Sequence, residues 1–127
     1  MPVYNPKKYA LIVEDSADLR ELLKRLYRRA GYWVEFAANG KEALAFLKSS
    51  ARLPSVIFLD MMMPVMDGFT FREIQKRNQQ FAQIPLVIMT ACGASEVEKM
   101  GFAAKNYIKK PLDIYTLLDV TLKYCSG

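Results

Sequence analysis

Five short apolar runs punctuate the chain, and after each one the apolar residues change to a helical period of three to four. The runs fall at residues 9–13 (YALIV), 33–37 (WVEFA), 55–59 (SVIFL), 84–89 (IPLVIM) and 106–109 (NYIK). Val56 to Leu59 is apolar without alternation, the pattern of a strand buried on both faces. Pro85 stands near the start of its run, where proline is tolerated. The clearest helix covers residues 17–30. Leu19, Leu22, Leu23, Leu26, Tyr27 and Ala30 form its apolar stripe. Arg20, Glu21, Lys24, Arg25, Arg28 and Arg29 take the polar side, and Gly31 supplies the stop. Further helices are predicted over 40–49 (capped by Asn39), 68–78 (capped by Asp67) and 113–125 (capped by Asp113). Ser95 and Glu98 have capping-box spacing and open a short helix over 95–101, which Gly101 ends.

Strand and helix thus alternate five times. Helices of this length between apolar strands predict βαβ units, a parallel sheet and right-handed crossovers. No linker, repeat or low-complexity segment interrupts the 127 residues, so one domain over 1–127 is expected.

Composition narrows the chemistry. The hydrophobic share of 52% suits a folded core, and no apolar run approaches the roughly 20 residues a membrane helix needs. The first residues, MPVYNPKK, lack a secretory h-region, and two cysteines are too few for a disulfide framework. A reduced, cytoplasmic protein is expected. Histidine is absent, which excludes His-based triads and His metal sites. The net charge of +5 is partly concentrated at Lys24, Arg25, Arg28 and Arg29, where a solvated helix face accounts for it. Direct DNA binding is not expected, because these residues include no appended DNA-binding domain, and no membrane partner is expected either.

The carboxyl ends of the strands carry the chemistry. Glu14 and Asp15 follow the first, Asp60 the third, Thr90 the fourth and Lys110 the fifth. In a parallel sheet all these ends lie on one edge, where α/β folds bind ligands. Three carboxylates gathered there repel one another, and Mg²⁺, a hard cation with oxygen ligands, relieves that repulsion. Lysine holds a phosphate as a point charge, and a carboxylate can itself form an aspartyl phosphate. Phosphoryl transfer asks mainly for in-line positioning and neutralised oxygens. The alternative is that the strand-end acids only cap the following helices.

Taken together, Glu14-Asp15, the run D-x-x-M-P-x-M-D-G from Asp60 to Gly68, Thr90-Ala91, Tyr107 and Lys110-Pro111 resemble the receiver domain of two-component response regulators, the CheY-like family. The resemblance covers nearly the whole chain. It implies a flavodoxin-like (βα)5 three-layer α/β sandwich, with the five-stranded parallel sheet in the order 2-1-3-4-5. It implies Asp60 as phosphoacceptor, Thr90 as switch hydroxyl and Lys110 as phosphate contact. Mg²⁺ (or Mn²⁺) would be held by Asp15, Asp60 and the backbone carbonyl of Met62, with Glu14 acting through water. Tyr107 would be the aromatic that moves with Thr90, and the Lys110–Pro111 bond would be cis. The implied partners are a histidine kinase or histidine phosphotransfer protein and an output protein or domain of unknown identity, with the chain a monomer or a phosphorylation-dependent dimer. The only catalysis implied is of its own phosphorylation and dephosphorylation.

One departure concerns the segment between Thr90 and Tyr107, which is shorter than usual in that family. It leaves its helix about one and a half to two turns at 3.6 residues each. Three other readings compete. A receiver-like interaction module would work without phosphorylation. A phosphatase of the haloacid-dehalogenase type would need a second Asp where Met62 stands. A flavodoxin would need a phosphate loop where Glu14-Asp15 would repel the phosphate. Cys92, two residues beyond Thr90, has no resolving cysteine at close spacing and reads as an ordinary loop residue.

Overall fold

The apolar runs form five parallel strands: β1 (Ala10–Val13), β2 (Val34–Ala37), β3 (Val56–Asp60), β4 (Leu86–Thr90) and β5 (Tyr107–Lys109). The computed structural model describes residues 2–61, 65–99, 101 and 107–127. The sheet order is β2-β1-β3-β4-β5, as the resemblance implied. β1, β3 and β4 are buried along their whole length, which is why their sequences lack polar alternation. Edge strand β2 is only half-buried and can carry Glu35. Parallel pairing sets Leu11 against Ile57 and Ile57 against Leu86, so side chains of one parity line one face.

The helices are α1 (Ala17–Ala30), α2 (Gly40–Ser49), α3 (Gly68–Arg77), α4 (Ala94–Lys99) and α5 (Ile114–Tyr124). Two cores result, one on each side of the sheet. Leu11, Val13, Ile57, Leu59 and Ile88 pack with Ala43 and Leu47 of α2 and Phe71 of α3. Ile12, Phe58, Val87 and Met89 pack with Leu23 and Tyr27 of α1 and Leu117 of α5. Side-chain caps start four of the helices. Ser16, Asn39, Asp67 and Asp113 accept from Leu19, Glu42, Thr70 and Tyr115 respectively. Gly31 ends α1 with φ +82°, the left-handed turn that favours glycine.

The sequence expectation is corrected in three places. Leu22 is 52% exposed although it lies in the apolar stripe of α1. At about 100° per residue it sits far around the helix from the buried pair Leu23 and Tyr27. Second, α4 begins at Ala94, so Ser95 lies inside the helix and not at its cap; the Gly93 carbonyl accepts from Val97 N–H at 3.1 Å. Third, β3 and β4 each extend one residue further, making Asp60 and Thr90 the last residues of their strands. Asp60 is thereby held in register with Met89, and Thr90 with Lys109.

A buried polar pair joins the two helices on one face. Tyr27 Oη and Thr121 Oγ1 are 2.7 Å apart, both residues are fully buried, and Thr121 also donates to the Leu117 carbonyl at 2.8 Å. Burial holds the Tyr27 phenol well above its ordinary pKa, so it stays neutral. Tyr27→Phe keeps the ring and leaves Thr121 its bond to Leu117. It is expected to cost about 1 kcal/mol in urea denaturation, the net value of one hydrogen bond. The same substitution at half-exposed Tyr32 is expected to cost less.

Candidate functional site

At the carboxyl edge of the sheet, Glu14, Asp15 and Asp60 bring three carboxylates together, with one oxygen of each within 4.8 Å of the others. Asp60 is positioned by the β3 ladder, and its side chain is 4% exposed. Glu14 is the first residue beyond β1, tied to the sheet by its N–H, which donates to the Ala37 carbonyl at 3.0 Å. Asp15 is exposed, at the mouth of the site. Lys110 Nζ donates to Asp60 Oδ2 at 2.8 Å, and its side chain is 33% exposed. The Lys110–Pro111 peptide bond is cis.

Glu14 reports on what the cluster lacks in charge balance. Its Oε2 accepts from Ser16 N–H at 2.9 Å. Its Oε1 is buried and has no hydrogen-bond partner among the described residues. Burial pushes its carboxyl above the ordinary value, Ser16 opposes, Asp15 and Asp60 push it further, and Lys110 partly offsets them. A buried carboxylate oxygen with no partner, beside two more carboxylates and one lysine, fits a hard divalent cation with oxygen ligands. The donor set matches Mg²⁺ or Mn²⁺ better than a metal preferring nitrogen or sulfur.

Thr90 is 5% exposed at the end of β4. Its Oγ1 accepts from Cys92 N–H at 3.1 Å, which uses a lone pair and leaves the hydroxyl hydrogen for donation. Its carbonyl accepts from Lys110 N–H at 2.7 Å, so the threonine and the lysine are joined through the backbone. Tyr107, half-buried, begins β5 in register with Ile88 and lines a surface cleft of about 360 Å³ with Lys109, Asp113 and Thr116. Lys109 is exposed, one position before the lysine that reaches Asp60. Met62 lies outside the described residues.

The structure therefore gathers Glu14, Asp15, Asp60 and Lys110 at one point, with Thr90 bonded to Lys110 and Tyr107 farther along β5. Arg20 was missed by pattern reading, which grouped it with the solvated face of α1. It is only partly exposed, and its Nη1 donates to the Glu14 carbonyl at 2.7 Å. A single arginine in an otherwise charged helix face gives no periodic signal that would single it out.

Comparison with known proteins gives a consistent picture. The model of the response regulator receiver domain matches residues 10–121. Sporulation initiation phosphotransferase F of Bacillus subtilis (strain 168) is 36% identical over 117 residues, which is 90% of this chain and 90% of that protein. Hybrid signal transduction histidine kinase E of Dictyostelium discoideum is 33% identical over 128 residues, covering 97% of this chain. The chain spans only 8% of that kinase, and 40% of the probable transcriptional regulator ycf27 of Guillardia theta. Among solved structures, Vibrio cholerae chemotaxis protein CheY4 has a TM-score of 0.78 at 32% identity, with 92% of this chain and 98% of that chain covered.

Proposed function

The chain belongs to the response regulator receiver domain family of two-component signalling, and from that premise we propose that it accepts a phosphoryl group on Asp60 in a Mg²⁺-dependent reaction. The observation that carries this reading is the buried Asp60, bonded to Lys110 and facing two more carboxylates. One carboxylate oxygen of Asp60 forms the new P–O bond, while the donor's P–N or P–O bond breaks and its electron pair leaves with the donor. Lys110 neutralises a phosphoryl oxygen, and Thr90 donates its hydroxyl to another. Asp15 and Asp60, with the Met62 carbonyl, would hold the cation, and Glu14 would act through a bound water. When bound, Mg²⁺ neutralises charge on the transferring group.

The output is a population shift. The product carries about −1.5 to −2 charge and three acceptor oxygens where a single carboxylate stood. Lys110 and Thr90 follow the new oxygens, and the backbone bond between them moves β4 and β5 together. Tyr107 fills space that Thr90 leaves, and the surface around α4, β5 and α5 changes its affinity for a partner. The donor is a histidine kinase or histidine phosphotransfer protein, a reading supported by hybrid kinases among the relatives. The setting is cytoplasmic, the chain works as one domain over 1–127, and it is a monomer that dimerises, if at all, on phosphorylation. Among the described residues no helix is long and apolar enough to cross a membrane.

Incubation with a small acyl phosphate, with Mg²⁺ or with chelator, tests the reading by intact mass. One phosphoryl adduct is expected with Mg²⁺ and none with chelator. Bound Mg²⁺ without any adduct would instead support an interaction module that works unphosphorylated.

A further inference from the structure

We infer that Arg20 is a positioning residue for the cation site, fixing the turn that carries Asp15. The inference rests on the reading of the carboxylate cluster as a Mg²⁺ site. Val13 is the last residue of β1 and the last in register with β3 at Leu59, so Glu14 lies beyond the paired residues and keeps only its N–H bond to the Ala37 carbonyl of β2. Its carbonyl has lost its place in the ladder, and a buried carbonyl needs a new donor. The Arg20 guanidinium supplies it at 2.7 Å. That bond orients the peptide plane joining Glu14 to Asp15.

The turn is held from two more directions. The Ser16 N–H donates to Glu14 Oε2 at 2.9 Å, and the Ser16 hydroxyl accepts from Leu19 N–H at 3.2 Å. Both bonds fix the residues flanking Asp15. Asp15 itself is exposed, and its direction depends on the backbone beneath it. The bond from the Arg20 guanidinium to the Glu14 carbonyl fixes that backbone from the first turn of α1, a rigid element.

Arginine brings a second effect of opposite sign. Its positive charge near the cluster repels a divalent cation, whereas its hydrogen bond orients the ligand. The side chain is partly exposed, so the charge is screened, while the short bond to the carbonyl is not. Positioning therefore dominates. Groups that orient metal ligands from behind typically change metal affinity about 10–100-fold when removed.

The test measures Mg²⁺ affinity of the full chain by isothermal titration calorimetry, in wild type, Arg20→Ala, Arg20→Gln and Arg20→Lys, with urea denaturation of each metal-free chain alongside. Arg20→Ala is expected to bind Mg²⁺ about tenfold more weakly. Arg20→Lys and the neutral donor Arg20→Gln are expected to recover most of that loss. Wild-type binding by Arg20→Ala would show that Arg20 does not position the site, tighter binding by Arg20→Ala and Arg20→Gln would show that only its charge matters, and either would overturn the inference. Equal losses in all three variants that track their loss of stability would reduce Arg20 to a structural contact, and would also overturn it. A wild-type chain that binds no Mg²⁺ would overturn the metal reading of the site itself, a result distinct from both.

Discussion

Asp60→Asn is expected to leave the chain folded and unable to carry any phosphoryl adduct. The amide keeps the shape of the side chain but removes the nucleophilic carboxylate, and none of the neighbouring groups has the same placement. Glu14 is buried with no lysine bonded to its carboxylate among the described residues, and Asp15 is exposed. The effect on stability is argued from the charges that remain. Removing one member of a buried ion pair can cost about 3–5 kcal/mol when the other is left buried alone. Lys110 is not so placed, because its side chain is 33% exposed and its charge still meets that of Glu14. Burial is the main cause that holds Glu14 above its ordinary pKa, and loss of the Asp60 carboxylate removes one repulsion that adds to it. The two effects oppose, and urea denaturation is expected to place Asp60→Asn within about 1 kcal/mol of wild type. A phosphoryl adduct on Asp60→Asn under conditions that label the wild type would locate the acceptor elsewhere.

Phe58→Ala is expected to be the most damaging of the substitutions considered, for a reason independent of the chemistry. Phe58 is fully buried in the centre of β3, in register with Ile12 on one side and Val87 on the other. It packs among residues of α1 and α5, including Tyr27 and Leu117. Replacing a buried phenylalanine by alanine typically costs about 3–5 kcal/mol, the transfer term plus a cavity. Against a total stability of about 5–15 kcal/mol, that is a large fraction. The urea midpoint is expected to fall by more than about 1 M with the slope unchanged. A loss below about 1 kcal/mol would mean that the surrounding helices collapse into the space. Because β3 also presents Asp60, partial loss of fold would lower phosphorylation without touching the site, so the two variants separate stability from chemistry.

Much of this architecture was legible because burial on both faces leaves a strong mark on a sequence. β1, β3 and β4 are entirely buried, so polar residues stand out only where the strands end. Glu14, Asp60 and Thr90 are among the few buried polar residues of the described part of the domain, and each lies at such an end. Asn39, Asp67 and Asp113 were legible as caps because a short polar side chain before an amphipathic stretch has a local meaning. What escaped the sequence depends on contacts between distant positions. Gln75 is buried because its amide donates to the carbonyls of Phe81 and Ile84, at 3.2 and 3.0 Å, in the connection before β4. No period or motif announces that role. Tyr27 and Thr121 meet across two helices separated by 94 positions. Arg20 looked like one charge among many, and only folding shows that its guanidinium reaches back to Glu14. The capping-box spacing of Ser95 and Glu98 misleads because the fold places Ser95 two positions past the cap, as the second residue of α4.

The most direct test of the account is to locate the phosphoryl group chemically. The chain is treated with a small acyl phosphate and Mg²⁺, reduced with borohydride, digested and read by peptide mass spectrometry. Reduction converts an aspartyl phosphate to homoserine. The account predicts homoserine at position 60 alone, dependent on Mg²⁺. Homoserine at another aspartate, the corresponding reduced alcohol at a glutamate, or an unmodified Asp60 in a chain with Mg²⁺ bound, would contradict it.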